Sequence, residues 1–177
     1  MNRPETPLLT VDIIIRMADR PEHTIVLIER KFPPYGWALP GGFVDVGERL
    51  ETAAVREAKE ETSLDIQLEV LLGCYSDPSR DSRGHTVSAV YVATASGEPR
   101  AQDDAKQIAC YAPGDCPELV FDHGRIISDY VNFLRTGQVT PLRLARNTWW
   151  RHWWRWPSVV SSAQAKDALI DIPWSVL

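Results

Sequence analysis

Cysteine is scarce in this 177-residue chain: Cys74, Cys110 and Cys116 are odd in number and form no C-x-x-C pair. That excludes a disulfide framework and a thiolate zinc site, and reduced thiols in the cytoplasm are the simplest expectation. A long uncharged apolar run is also missing from the first twenty residues, where Val11 to Ile15 is interrupted by Asp12 and flanked by Glu5 and Asp19. A signal peptide or a transmembrane span needs a longer run, so the expected location is cytoplasmic. Positive charge is not in excess either. Lys and Arg number 19 against 24 Asp and Glu, a net charge of −5, which argues against a general nucleic-acid partner, because phosphate neutralisation needs surplus cations. No internal repeat is found. What remains is 44% hydrophobic and 24% charged residues, the make-up of a globular domain. The length suits one such domain with an appendage. Of seven tryptophans, five (Trp149, Trp150, Trp153, Trp154 and Trp156) fall within eight residues.

Leu8 to Met17 and Thr24 to Lys31 are rich in Ile and Val and are separated by turn formers, which predicts an antiparallel pair of strands. Phe32-Pro33-Pro34-Tyr35-Gly36 reads as a loop, since proline cannot donate to a ladder. Trp37 to Leu39 is a short strand running into a turn at Pro40-Gly41-Gly42. From Leu50 to Thr62 there is no Gly or Pro and the composition turns to Ala, Glu, Arg and Lys, which predicts a helix. Asp65 to Tyr75, His85 to Ala95 and, more weakly, Gln107 to Tyr111 are strand candidates. Asp122 to Arg135 carries apolar residues at helical spacing with Gly137 just beyond. Strands surround two helices without strict alternation, so the expected class is α+β with a mixed sheet between helices.

The chemistry concentrates between Gly42 and Leu64. On a helix, Glu57, Glu60 and Glu61 fall within an arc of about 100°. Such carboxylates repel one another by a few tenths of a kcal/mol per contact, a penalty that a hard divalent cation with oxygen ligands removes. Arg56, four residues before Glu60, is placed to orient it. A solvated acidic helix face is the alternative for such a cluster taken alone.

The spacing around the cluster weighs against that alternative. Five residues separate Gly42 from Glu48, seven separate Glu48 from Arg56-Glu57, and Glu60-Glu61 follow. This resembles the box of the Nudix (MutT-like) hydrolases, G-x5-E-x7-R-E-U-x-E-E-x-G-U with U apolar, and Trp37-Ala38-Leu39-Pro40-Gly41-Gly42 is similar to the usual approach to it. Two positions depart: Ala58 is small for its apolar position, and Ser63 replaces the glycine. That glycine ends the helix in the left-handed region, where a Cβ costs on the order of 1 kcal/mol.

The resemblance implies an α/β/α sandwich with a mixed sheet over residues 1–137. It also implies hydrolysis of a pyrophosphate linking a nucleoside diphosphate to a second group X, with Mg²⁺ or Mn²⁺. Position by position, Glu57 and Glu61 correspond to the principal metal ligands, and Glu60 to a further ligand or the base. The Gly41 or Gly42 carbonyl completes the shell, Glu48 is an outer ligand, and Arg56 holds the glutamates. Many relatives carry another Glu near Gln107, which cannot ionise; Asp103 and Asp104 are neighbouring candidates for the charge, with a surface turn as the alternative.

Pro78 stands fifteen residues past Ser63, a spacing that resembles the ADP-ribose pyrophosphatase-like subgroup, as does Phe121-Asp122-His123. ADP-ribose or a similar nucleoside diphosphate sugar is therefore the expected substrate, with an oxidised or ordinary nucleoside triphosphate as the alternative. Arg80, Arg83 and His85 are candidates to contact phosphate or ribose, and Tyr35 or Trp37 to stack on a purine.

Residues 138–177 form a basic Trp-rich extension, five basic against two acidic side chains. If helical, it presents tryptophans on adjacent faces with arginines between. It can lie at a membrane, stack on nucleic acid, or pack on its own domain or a second subunit. Packing, including a homodimer, is favoured, because large aromatics mostly serve burial and interfaces. Two further readings are a silent nucleotide-binding regulator and a scaffold acting through the tail. The complete set of box glutamates argues against the first, and the second requires the tail to bind something.

Overall fold

The computed structural model describes residues 5–102 and 105–140. The expectations for Asp103, Asp104 and the Trp-rich segment from 141 onward lie outside the described residues. Among the described residues, seven strands and two helices follow in the order β1 (Leu8–Met17), β2 (Ile25–Arg30), β3 (Trp37–Ala38), β4 (Gly41–Phe43), α1 (Leu50–Thr62), β5 (Gln67–Tyr75), β6 (Thr86–Ala95), β7 (Ala105–Tyr111) and α2 (His123–Thr136).

The spine is β1. Ten residues of it pair in parallel with β6, and β5 joins β6 antiparallel with two register shifts. On its other edge β1 takes β4 at Thr10 to Asp12 and touches β2 only at Arg16 and Ile25. The expected β1–β2 hairpin is thus a brief contact, and β2 spends its length on β7 and β3. The sheet is mixed, as expected.

Period-two alternation sorts its side chains to two sides. Val11, Ile13, Ile15 and Met17 of β1 meet Ala53, Ala54 and Ala58 of α1, whereas Ile14, with Val90 and Val92 of β6, meets Ile126, Ile127 and Tyr130 of α2. A helix therefore covers each face, each buried Ile or Leu contributing roughly 1.5–3 kcal/mol. The small Ala58 is fully buried against β1. Asp12, the one acid of β1, is buried at 8% exposure on the parity of Ile14.

The expected turn at Pro40-Gly41-Gly42 is corrected: Gly41 to Phe43 form a strand on β1. Glycine makes this approach feasible. A Cβ on Gly41, at φ +155°, would collide with the Val11 carbonyl and lie 2.9 Å from the Asp12 Cα. Helix α1 has the expected limits, and Ser63 does adopt the left-handed conformation, φ 61°. Its Oγ donates to the Arg100 carbonyl at 3.3 Å. The backbone N–H groups of Arg100 and Gln102 reach the Thr62 and Glu61 carbonyls, so the chain after β6 satisfies the end of α1. Helix α2 ends with Gly137 left-handed at φ 72°.

Candidate active site

Helix α1 and strand β4 meet at one end of the sheet, and a cleft of about 290 Å³ opens there. Four residues per near-turn put Glu57 and Glu61 on the cleft wall and leave Glu60 more exposed. The Glu61 side chain is buried, 5% exposed, and Oε2 accepts from the Gly41 N–H at 2.8 Å. Gly42 leaves room for its neighbour, since a Cβ there would stand 2.5 Å from the Glu57 carboxyl carbon.

Arg56 ties the box together. Its Nε and one terminal nitrogen each donate to Glu48 at 2.9 Å, and the other terminal nitrogen donates to Glu57 at 2.7 Å and Glu60 at 3.2 Å. A further bond reaches the Phe43 carbonyl at 3.1 Å. The planar fork of arginine allows this, where an ammonium offers one point charge. The hydrogen bond to Glu48, followed by those to Glu57 and Glu60, lifts the Arg56 guanidinium above its ordinary value, and Arg56 in turn holds the Glu48 carboxyl below its own. Burial has the opposite effect on Glu57 and raises it despite Arg56.

A carboxylate kept short of water, beside a glycine that leaves space and another carboxylate one turn on, has the hard oxygen chemistry that a divalent cation takes. Among the described residues no three His, Cys, Asp or Glu side chains stand ready-made around a metal position. Arg56 holds Glu48, Glu57 and Glu60 in one network of ion pairs.

The opposite wall comes from β1, the loop after β5 and the start of α2. Asp12, 8% exposed, accepts from Arg80 at 3.1 Å and from Ser88 at 2.5 Å, and lies 3.4 Å from His123 Nε2. Burial opposes ionisation of Asp12, but His123, Arg80 and the Ser88 hydroxyl outweigh it and hold the carboxyl down to about 2. Arg80 also pairs with Asp122 at 2.9 Å and donates to Thr86 at 3.0 Å. Burial works against its charge, yet the two aspartates hold it above the ordinary guanidinium value. Arg83 is partly exposed, pairs with Asp81 at 2.8 Å and lies 5.2 Å from the Phe121 ring centre, with Arg30 at 5.1 Å.

Of the residues expected to contact substrate, Arg80 and Arg83 line the cleft. The Arg80 guanidinium is buried in ion pairs with Asp12 and Asp122. Tyr35, 70% exposed, and Pro78 are not among the described residues that line the cleft. Trp37 packs edge-on against Tyr111 at 5.6 Å, as core. Gln107 lies on β7 opposite Glu29, and His85 contacts the Ser76 carbonyl. Asp12, Asp81 and Phe121 were not foreseen as part of the site. The signal for Asp12 was a single acid inside an apolar strand.

The Nudix domain model matches residues 6–130, and the chain belongs to the Nudix family of hydrolases. An ADP-ribose pyrophosphatase of Methanocaldococcus jannaschii is 45% identical over 130 residues, 72% of this chain and 75% of that protein. A putative 8-oxo-dGTP diphosphatase of Bacillus subtilis is 34% identical over 119 residues, 66% of this chain and 76% of that protein. Among solved structures, the Nudix domain of Shewanella oneidensis NrtR complexed with ADP ribose is 29% identical, with a TM-score of 0.64 over 73% of this chain and 90% of that one. Among the described residues no helix is long and apolar enough to cross a membrane.

Proposed function

We propose that this enzyme hydrolyses the pyrophosphate of ADP-ribose or a similar nucleoside diphosphate sugar, using Mg²⁺ or Mn²⁺. The observation that carries the reading is the pairing of Glu57 and Glu61 on one wall of a cleft whose far side offers the half-exposed Arg83 and Phe121. The likeness to the archaeal ADP-ribose pyrophosphatase supports the same choice of X. Glu57 and Glu61 hold the cation, Glu60 adds a ligand or takes the proton of the attacking water, and the Gly41 or Gly42 carbonyl and Glu48 complete the surroundings. A divalent cation supplies positive charge against the pyrophosphate oxygens. Arg56 keeps the glutamates from drifting apart, and Arg83 is the guanidinium in reach of a substrate phosphate. The partner is a small nucleotide in the cytoplasm rather than a nucleic acid, and a homodimer is the assembly proposed.

Phosphate release, coupled to a phosphatase, is to be measured over a panel holding ADP-ribose, other nucleoside diphosphate sugars, and ordinary and oxidised nucleoside triphosphates. ADP-ribose should give the highest kcat/KM, and changing Glu60 and Glu61 together to Gln should lower it by at least about 100-fold. Undiminished turnover by that variant on every substrate would remove the hydrolase assignment; a preferred triphosphate would remove ADP-ribose alone.

A further inference from the structure

His123 opens α2, across the cleft from the box, and is 2% exposed. Its Nδ1 accepts the Leu39 N–H at 2.9 Å, so the ring proton belongs on Nε2, which faces Asp12 Oδ1 at 3.4 Å. The same oxygen would lie 3.0 Å from a Cβ on Gly41, which places the carboxylate against the glycine backbone. Leu39 is itself buried, and two residues on, the Gly41 N–H holds Glu61 at 2.8 Å. Between them the Pro40 carbonyl accepts from Ile13 at 2.8 Å. The run Leu39 to Gly41 is thus fixed at three successive residues, by α2, by β1 and by the box helix.

We propose that His123, backed by Asp12, is a positioning residue for the metal site, setting the orientation of Glu61 through the Leu39–Gly41 backbone. On this reading it acts through the backbone and not on the reacting atoms. Its effect is that of a partner behind a ligand, which typically changes metal affinity by roughly 10–100-fold when removed. Losing the imidazole leaves the Leu39 N–H buried without an acceptor, and the strand that presents Gly41 to Glu61 loses its outer anchor. The inference rests on the proposal that Glu61 is a metal ligand, but not on which nucleotide is cleaved.

The test titrates Mn²⁺ alone into the full-length protein by calorimetry and records kcat and KM separately. His123→Phe keeps a ring and deletes both nitrogens; His123→Asn offers an acceptor near the Nδ1 position; His123→Gln offers its polar atoms near Nε2. Phe should weaken Mn²⁺ binding by at least about 10-fold and lower kcat more than it raises KM. Asn should recover most of both losses, and Gln should recover neither. Wild-type Mn²⁺ affinity and kcat in a folded Phe variant would overturn the proposal. Should Phe fail to fold, equal behaviour of Asn and Gln would overturn it. If the wild type binds Mn²⁺, and the variants rank as stated, but no nucleotide is cleaved, the positioning role stands and the proposed function falls.

Discussion

Ser63 shows how one residue departs from its family's pattern and what it gains in return. A left-handed Cβ costs on the order of 1 kcal/mol, yet the hydroxyl that comes with it reaches the Arg100 carbonyl, and serine leaves the unfolded chain less freedom than glycine. The entropic gain is about 0.4–1 kcal/mol and an exposed 3.3 Å bond adds little to it, so together they offset most of the strain. Ser63→Gly should therefore raise stability, by less than about 1 kcal/mol, with kcat within about twofold, because Ser63 does not line the cleft. Thermal unfolding and turnover of the same preparation check this, and an equal or lower melting temperature would count against it. The box was readable at this scale because its chemistry is local: Glu48, Arg56, Glu57 and Glu60 meet within one helix and the loop before it. The ion pairs of Arg80 were not readable for the opposite reason. Only the fold brings Asp12 and Asp122, 68 and 42 residues away, to its guanidinium, and a loop arginine reads as solvated or substrate-bound until then.

Among the elements, β1 combines two roles. Its apolar residues alternate between two cores, and Asp12 uses one position of that alternation to carry a buried charge into the cleft. Strand limits and both helices were legible in the sequence because hydrophobic period and helix-ending residues are local signals. The pairing of β1 with β6, 69 residues or more apart and parallel, was not, and neither was β4, whose Gly-Gly composition imitates a turn. Asp12 gives β1 a pH dependence. Its folded value, about 2, lies below the ordinary 3.8, so the stabilisation is present in full above about 4 and is lost as pH falls toward 2. A shift of that size corresponds to on the order of 2 kcal/mol. Between pH 5 and 2 the unfolding free energy of the wild type should fall more steeply than that of Asp12→Asn, which starts lower and cannot titrate at this position. Parallel denaturation curves of the two proteins would refute the assignment.

For the whole molecule, charge and chemistry separate along the chain. Residues 138–177 carry a net +3, leaving −8 on the 137 before them, and among the described residues those lining the cleft lie between Thr10 and His123. Both cores likewise close between β1 and Phe133. The last described residue is attached to the domain: the Thr140 N–H donates to the Leu72 carbonyl at 2.9 Å, its hydroxyl lies 3.0 Å from that of Tyr75, and a Cβ on Gly73 would sit 2.8 Å from the Thr140 Cβ. A chain cut after Thr140 keeps these bonds, whereas one cut after Gly137 loses them, a difference of about 1–2 kcal/mol. The chain ending at Thr140 should keep kcat/KM within about twofold of the full chain and unfold at higher temperature than the one ending at Gly137. If large aromatics beyond Thr140 serve packing, as their composition suggests, removing them should lower the melting temperature of the full chain or convert a dimer to monomers in sedimentation, with the chemistry retained. A folded 1–140 chain that no longer cleaves its substrate would place part of the active site in the extension and overturn this separation.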